Sequence, residues 1–135
     1  MDEDIAVWDV AYSVGYPTID DQHKKLVNMI NDLFQLDKDG NTIAKAIFAK
    51  TFSEAGNYAQ THFHDEEEIL EKACYPNLTE HKKEHVTFMT EVWKQFNLFN
   101  EGNESPAGLA RFLKKWLLTH IAVSDKKYAP YLVEK

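Results

Sequence analysis

At 135 residues, 44% hydrophobic and 27% charged, the chain has the balance of one ordinary globular domain spanning 1–135. A net charge of −7 makes nucleic acid and anionic membrane surfaces poor partners. No apolar stretch approaches the roughly 18 residues needed to cross a bilayer, and the acidic start MDEDIAVWDV lacks a signal-peptide layout.

A cytoplasmic protein is therefore expected. Cys74, the single cysteine, excludes an internal disulfide and reads as a small residue in a tight connection.

Residues 1–18, broken at Gly15-Tyr16-Pro17, predict an extended N-terminal arm laid over the rest, 19–135. Four stretches then carry apolar residues at helical spacing. The first covers 20–36, with Ile19, Leu26, Val27, Ile30, Leu33 and Phe34 on one stripe. The second covers 42–72, with Ala44, Phe48, Phe52, Ala55, Ala59, Ile69 and Leu70. The third, 79–99, carries Phe88, Met89, Val92, Phe96 and Phe99, and the fourth, 106–127, carries Leu109, Phe112, Leu113, Trp116 and Leu117. Asp39-Gly40-Asn41, Tyr75-Pro76-Asn77 and residues 100–105 separate them, and Ser105-Pro106 is a capping serine followed by a proline suited to the first helical position. Short connections favour antiparallel neighbours, so the expected fold is all-α, an up-down-up-down four-helix bundle.

Five of the six histidines fall on these stripes: His23, His62, His81, His85 and His120. In HFHDEEEIL, residues 62–70, His62 and Glu66 are four apart and share the inward face. His64 is turned roughly 160° from His62 and points out, with Asp65, Glu67 and Glu68 on the flank or outer surface. One buried histidine is ordinary. Five with a glutamate are not, because each unsatisfied buried polar group costs on the order of 1–3 kcal/mol, against a total stability of roughly 5–15 kcal/mol.

Lys24, Lys25, Lys82, Lys83, Lys114 and Lys115 lie beside the histidines, not in line with them, so a bound cation is the expected neutralising charge. Asp125 fits less well. Five residues beyond His120, it is turned by about 140° on an ideal helix, and the simpler reading is an exposed aspartate beside Lys126 and Lys127. To share a centre with His120, the helix must end there or loosen, for instance by a π-bulge.

Five imidazoles and one or two carboxylates exceed one tetrahedral zinc site and suit two octahedral ions. Imidazole with carboxylate suits iron, while zinc, copper, nickel and manganese stay open. Carboxylate-rich bundles use more glutamate than this. Neutral nitrogen supports high-valent iron less well, which favours reversible oxygen binding over oxygen cleavage.

The pattern His23, His62-x-x-x-Glu66, His81-x-x-x-His85 and His120-x-x-x-x-Asp125 resembles the hemerythrin family, and within it the bacterial single-domain form. Trp8, SVG, IDDQHKKL, HFHDEEE, YP and WLLTHI strengthen the likeness. The resemblance implies two non-haem iron ions joined by an oxo or hydroxo bridge. His81, His85 and His120 would hold one, His23 and His62 the other, and Glu66 and Asp125 would bridge both. It also overturns the simpler reading of Asp125.

Dioxygen would bind reversibly at a vacant position of the two-histidine iron, in a dry pocket lined by Leu26, Phe63, Trp116, Leu117 and Ile121. Ligating histidines also need partners on their outer nitrogens, for which Gln22 and backbone carbonyls are candidates. The implied role is oxygen carriage, storage or delivery to an oxygen-consuming recipient protein, by a monomer and without catalysis. The alternatives are an oxygen- or redox-sensing domain of a signalling protein, a di-iron enzyme with peroxidase, oxidase or nitric-oxide chemistry, and metal storage. Met1 and the full arm around Trp8 lean towards a free-standing protein.

Overall fold

The computed structural model describes residues 6–39 and 42–132, with backbone alone at 39 and 42–44. Residues 1–5 of the arm, the Gly40-Asn41 turn and the Ala44 side chain lie outside the described residues. Four long helices carry the fold: α1 (Pro17–Asp39), α2 (Thr42–Lys72), α3 (Leu78–Asn100) and α4 (Pro106–Thr119). Beyond α4 the chain continues through a π-helical segment, His120–Asp125, into a short α turn, Lys126–Tyr128, and a 3-10 turn, Ala129–Tyr131. Each of α1 and α3 packs on both α2 and α4, closing a four-helix bundle. The described residues contain no strand.

Local signals explain the helix ends. Proline's fixed φ suits a first helical turn, so α1 starts at Pro17, three residues before the expected 20, and the break narrows to Gly15 with φ +75°. Ser105 caps α4 by accepting the Gly108 N–H at 3.0 Å, with Pro106 as the first helical residue. α2 and α3 end alike. Cys74 (φ +58°) donates to Glu71 O at 3.1 Å and Tyr75 to Leu70 O at 3.0 Å; Gly102 (φ +82°) donates to Phe99 O at 3.0 Å and Asn103 to Leu98 O at 2.8 Å. This paired bonding returns the last helical carbonyls to donors through a left-handed residue. Glycine takes that conformation freely, while Cys74 bears a strain of about 1–2 kcal/mol.

The apolar side chains form two clusters. The larger includes Leu33, Phe34, Phe48, Phe52, Val92, Phe99 and Leu109 from all four helices. The smaller gathers Val14, Ile19, Leu70, Tyr75, Tyr128 and Leu132 around the start of α1 and the end of α2. Gly56 lets α2 approach α3: a Cβ there would lie 2.7 Å from Cη2 of Trp93.

The described part of the arm, expected to be extended, contains a 3-10 turn, Val10–Tyr12. Asn31 pairs with both backbone groups of Ala6 at 2.8 Å, and Asp20 accepts from Ser13 Oγ at 2.6 Å and Val14 N–H at 2.9 Å. Lys126 donates to Ser13 O at 2.7 Å. The arm thereby ties α1 to the segment beyond α4, and Trp8 lies 6.4 Å, centroid to centroid, from His23.

Candidate metal centre

Helical phase brings His23 from α1, His62 and Glu66 from α2, and His81 and His85 from α3 into the bundle interior, where all are buried. His120 and Asp125 join them from the two ends of the π-helical segment, and Asp125 is fully buried. The wider π turn cancels the mismatch of a five-residue interval, so of the two ways the sequence left open, a helix end or a local loosening, the structure has the loosening. His64 has the opposite fate: its side chain is 71% exposed and pairs with Glu68 at 2.7 Å.

The two carboxylates divide their oxygens between two sets of imidazoles. Glu66 Oε1 lies 2.9 Å from His81 Nε2 and 3.0 Å from His85 Nε2, while its Oε2 lies 3.4 Å from His62 Nε2 and 3.6 Å from His23 Nε2. Asp125 Oδ1 lies 3.0 Å from His120 Nε2 and 3.1 Å from His81 Nε2, and its Oδ2 lies 3.1 Å from His23 Nε2. Two groups of donors converge closely enough to hold an ion: Glu66 with His81, His85 and His120, and Glu66 with His23 and His62.

Electrostatics of the protein atoms alone show what is lacking. Burial opposes charge on His23, but the facing carboxylates of Asp125 and Glu66, at 3.1 and 3.6 Å, outweigh it and raise the imidazole to about 9. The same contest raises His81 to about 10. Burial likewise opposes the charge on Glu66 and Asp125, and facing histidines hold both carboxyls below their usual range. Even so, both nitrogens of His23, Nε2 of His62 and both oxygens of Asp125 are buried without a hydrogen-bond partner. Orphaned donors of this type, aimed at one another, fit a pair of cations better than a self-sufficient polar core.

Behind these residues stands a set of outer contacts. His62 Nδ1 donates to Gln22 Oε1 at 2.5 Å, and Gln22 Nε2 donates to Asp65 Oδ2 at 3.1 Å. His85 Nδ1 donates to Glu67 Oε2 at 2.7 Å. His120 Nδ1 lies 3.2 Å from Glu84 Oε1, not aligned for a hydrogen bond, and Ser124 Oγ donates to that oxygen at 2.5 Å. Tyr128 Oη donates to Glu66 Oε2 at 2.8 Å, and burial drives its phenol well above its usual value. The sequence pointed to Gln22 but not to Glu67, Glu84 or Tyr128. The available signal for the two acids is adjacency: Glu67 follows Glu66 and Glu84 precedes His85, each on the flank of its helix beside an inward residue.

The expected pocket residues take different places. Leu26 and Leu117, with Ile30, Ala59, Phe88 and Leu113 among others, line an apolar cavity with about 20 Å³ available to the centre of a water molecule, on the order of one small guest. Phe63 instead stacks on His85 at 3.9 Å, and Trp116 on His120 at 4.5 Å. Ile121 is fully buried in the larger cluster. None of these three lines that cavity.

Residues 14–132 match the family model described as the hemerythrin HHE cation-binding domain. The chain is 30% identical over 125 residues to a bacteriohemerythrin of Stenotrophomonas maltophilia, covering 93% of this chain and 80% of that one. It is 32% identical over 124 residues to a hemerythrin of Phascolopsis gouldii, covering 90% and 89%. A crystal structure of wild-type hemerythrin superposes with a TM-score of 0.85 at 28% identity, covering 95% of this chain and 98% of that one.

Proposed function

The chain belongs to the hemerythrin family, and from that premise we propose that it binds dioxygen reversibly at a pair of non-haem iron ions. His81, His85 and His120 would hold one ion, His23 and His62 the other, with Glu66 and Asp125 bridging both. The observation that carries this reading is the division of carboxylate oxygens: each acid offers one oxygen to each histidine set. When bound, the iron pair supplies the electrons that hold and release dioxygen.

The protein's own residues supply the setting. Five neutral imidazoles against two carboxylates give little support to oxygen cleavage, which favours binding over enzymatic turnover. The two apolar clusters flank the site and keep bulk water from it, and the cavity at Leu26 and Leu117 offers dry space within one turn of His23 and His120. Tyr128 fixes the orientation of Glu66 through its hydroxyl. We place the protein in the cytoplasm as a monomeric carrier or store serving an oxygen-consuming recipient; no helix among the described residues is long and apolar enough to cross a membrane.

The direct test is spectroscopic. Iron-loaded, reduced protein exposed to air should gain a visible absorption band that fades when oxygen is swept away. Rapid irreversible oxidation would overturn the carrier reading.

A further inference from the structure

The two histidine sets differ in what grips their outer nitrogens. On the three-histidine side, Glu67 accepts from His85 at 2.7 Å, while the carboxylate of Glu84 lies 3.2 Å from His120 Nδ1 without an aligned hydrogen bond. On the two-histidine side, His62 donates to the neutral amide of Gln22, and the outer nitrogen of His23 is buried with no partner. A carboxylate behind a ligating imidazole fixes the ring and raises the basicity of the nitrogen facing the metal. An amide does so more weakly, a carboxylate that is close but unaligned acts through its charge, and a missing partner does neither. Glu84 has a further hold, because Ser124, which donates to it, lies in the π-helical segment that also presents His120 and Asp125.

Resting on the metal-binding reading above, we propose that Glu67 and Glu84 are positioning residues that make the three-histidine position the tighter of two unequal metal positions, filled first and emptied last. The two-histidine position is correspondingly labile. Loading therefore passes through a species with one metal ion, seated on His81, His85 and His120.

Anaerobic titration of the metal-free protein with cobalt(II), followed by its visible bands, separates the steps. Two steps are expected, each of one equivalent. Glu67→Gln and Glu84→Gln should each weaken the first step by about 10-fold or more and leave the second unchanged, whereas Gln22→Leu should weaken only the second. A single step of two equal ions, or variants that weaken both steps alike, would overturn the inference. Wild-type protein that binds no cobalt would instead overturn the metal-binding reading itself. Should a variant fail to fold without metal, chelator stripping of the two-cobalt wild type decides: release in two phases, half the cobalt leaving late, is expected, and one phase contradicts the proposal.

Discussion

The two halves of the bundle use the same helices for opposite ends. In one, Phe48, Phe52, Phe96 and Phe99 pack ring against ring, with Phe52 and Phe96 stacked at 5.2 Å and Phe48 and Phe99 at 5.4 Å. In the other, the same inward stripes carry five histidines and two acids, all buried. Helical periodicity dictates which side chains face in, but not whether they satisfy one another once there. The apolar half closes on its own by burial. The polar half is left with orphaned nitrogens and oxygens, which the proposed cations would complete.

That division can be broken from either side. Phe52→Ala should cause the largest loss, about 3–5 kcal/mol in denaturant unfolding of the metal-free protein, while the folded variant still binds two ions. His81→Ala removes a side chain that faces both acids. It should abolish binding at the three-histidine position and forfeit metal-linked stability, about 4 kcal/mol at a thousandfold excess over the dissociation constant, read as the difference between loaded and metal-free melting temperatures. His64→Ala, on an exposed pair, should stay within about 0.5 kcal/mol. Equal effects of the two histidine substitutions would contradict the division into inward and outward faces.

The pH dependence sharpens the contrast. His23 and His81 are raised in the folded, metal-free protein to about 9 and about 10. A raised group stabilises fully below its unfolded value, near 6.5, and the contribution is lost as pH climbs through the folded value. Metal-free protein should therefore lose thermal stability between about pH 7 and 10. The loaded protein should not follow, since metal displaces those protons. A modest effect of opposite sign is expected outside the ligand set: Cys74→Gly should stabilise by about 1 kcal/mol in denaturant titration by relieving the left-handed backbone.

The inward stripes, the capping of α4 by Ser105 and six of the seven proposed ligands could be read from spacing alone, because a regular helix repeats its faces. Asp125 could not, since its five-residue interval does not fit a regular α-helix, and its place rested on family resemblance until the structure supplied the π-helical segment. Tyr128 escaped for the same reason: it follows the altered winding, so its phase could not be carried over from α4. Glu67 and Glu84 were hidden differently. They sit at the flank, half-buried, where an acid ordinarily faces water, and only the approach of a neighbouring helix turns them towards His85 and His120.

The proposed centre requires Glu66 and Asp125 each to bind two ions at once. Diffraction from iron-loaded crystals on either side of the iron absorption edge tests it most directly. Two anomalous peaks are predicted, each within bonding distance of one oxygen of Glu66 and one of Asp125. A single peak, or two that do not share both acids, would contradict it.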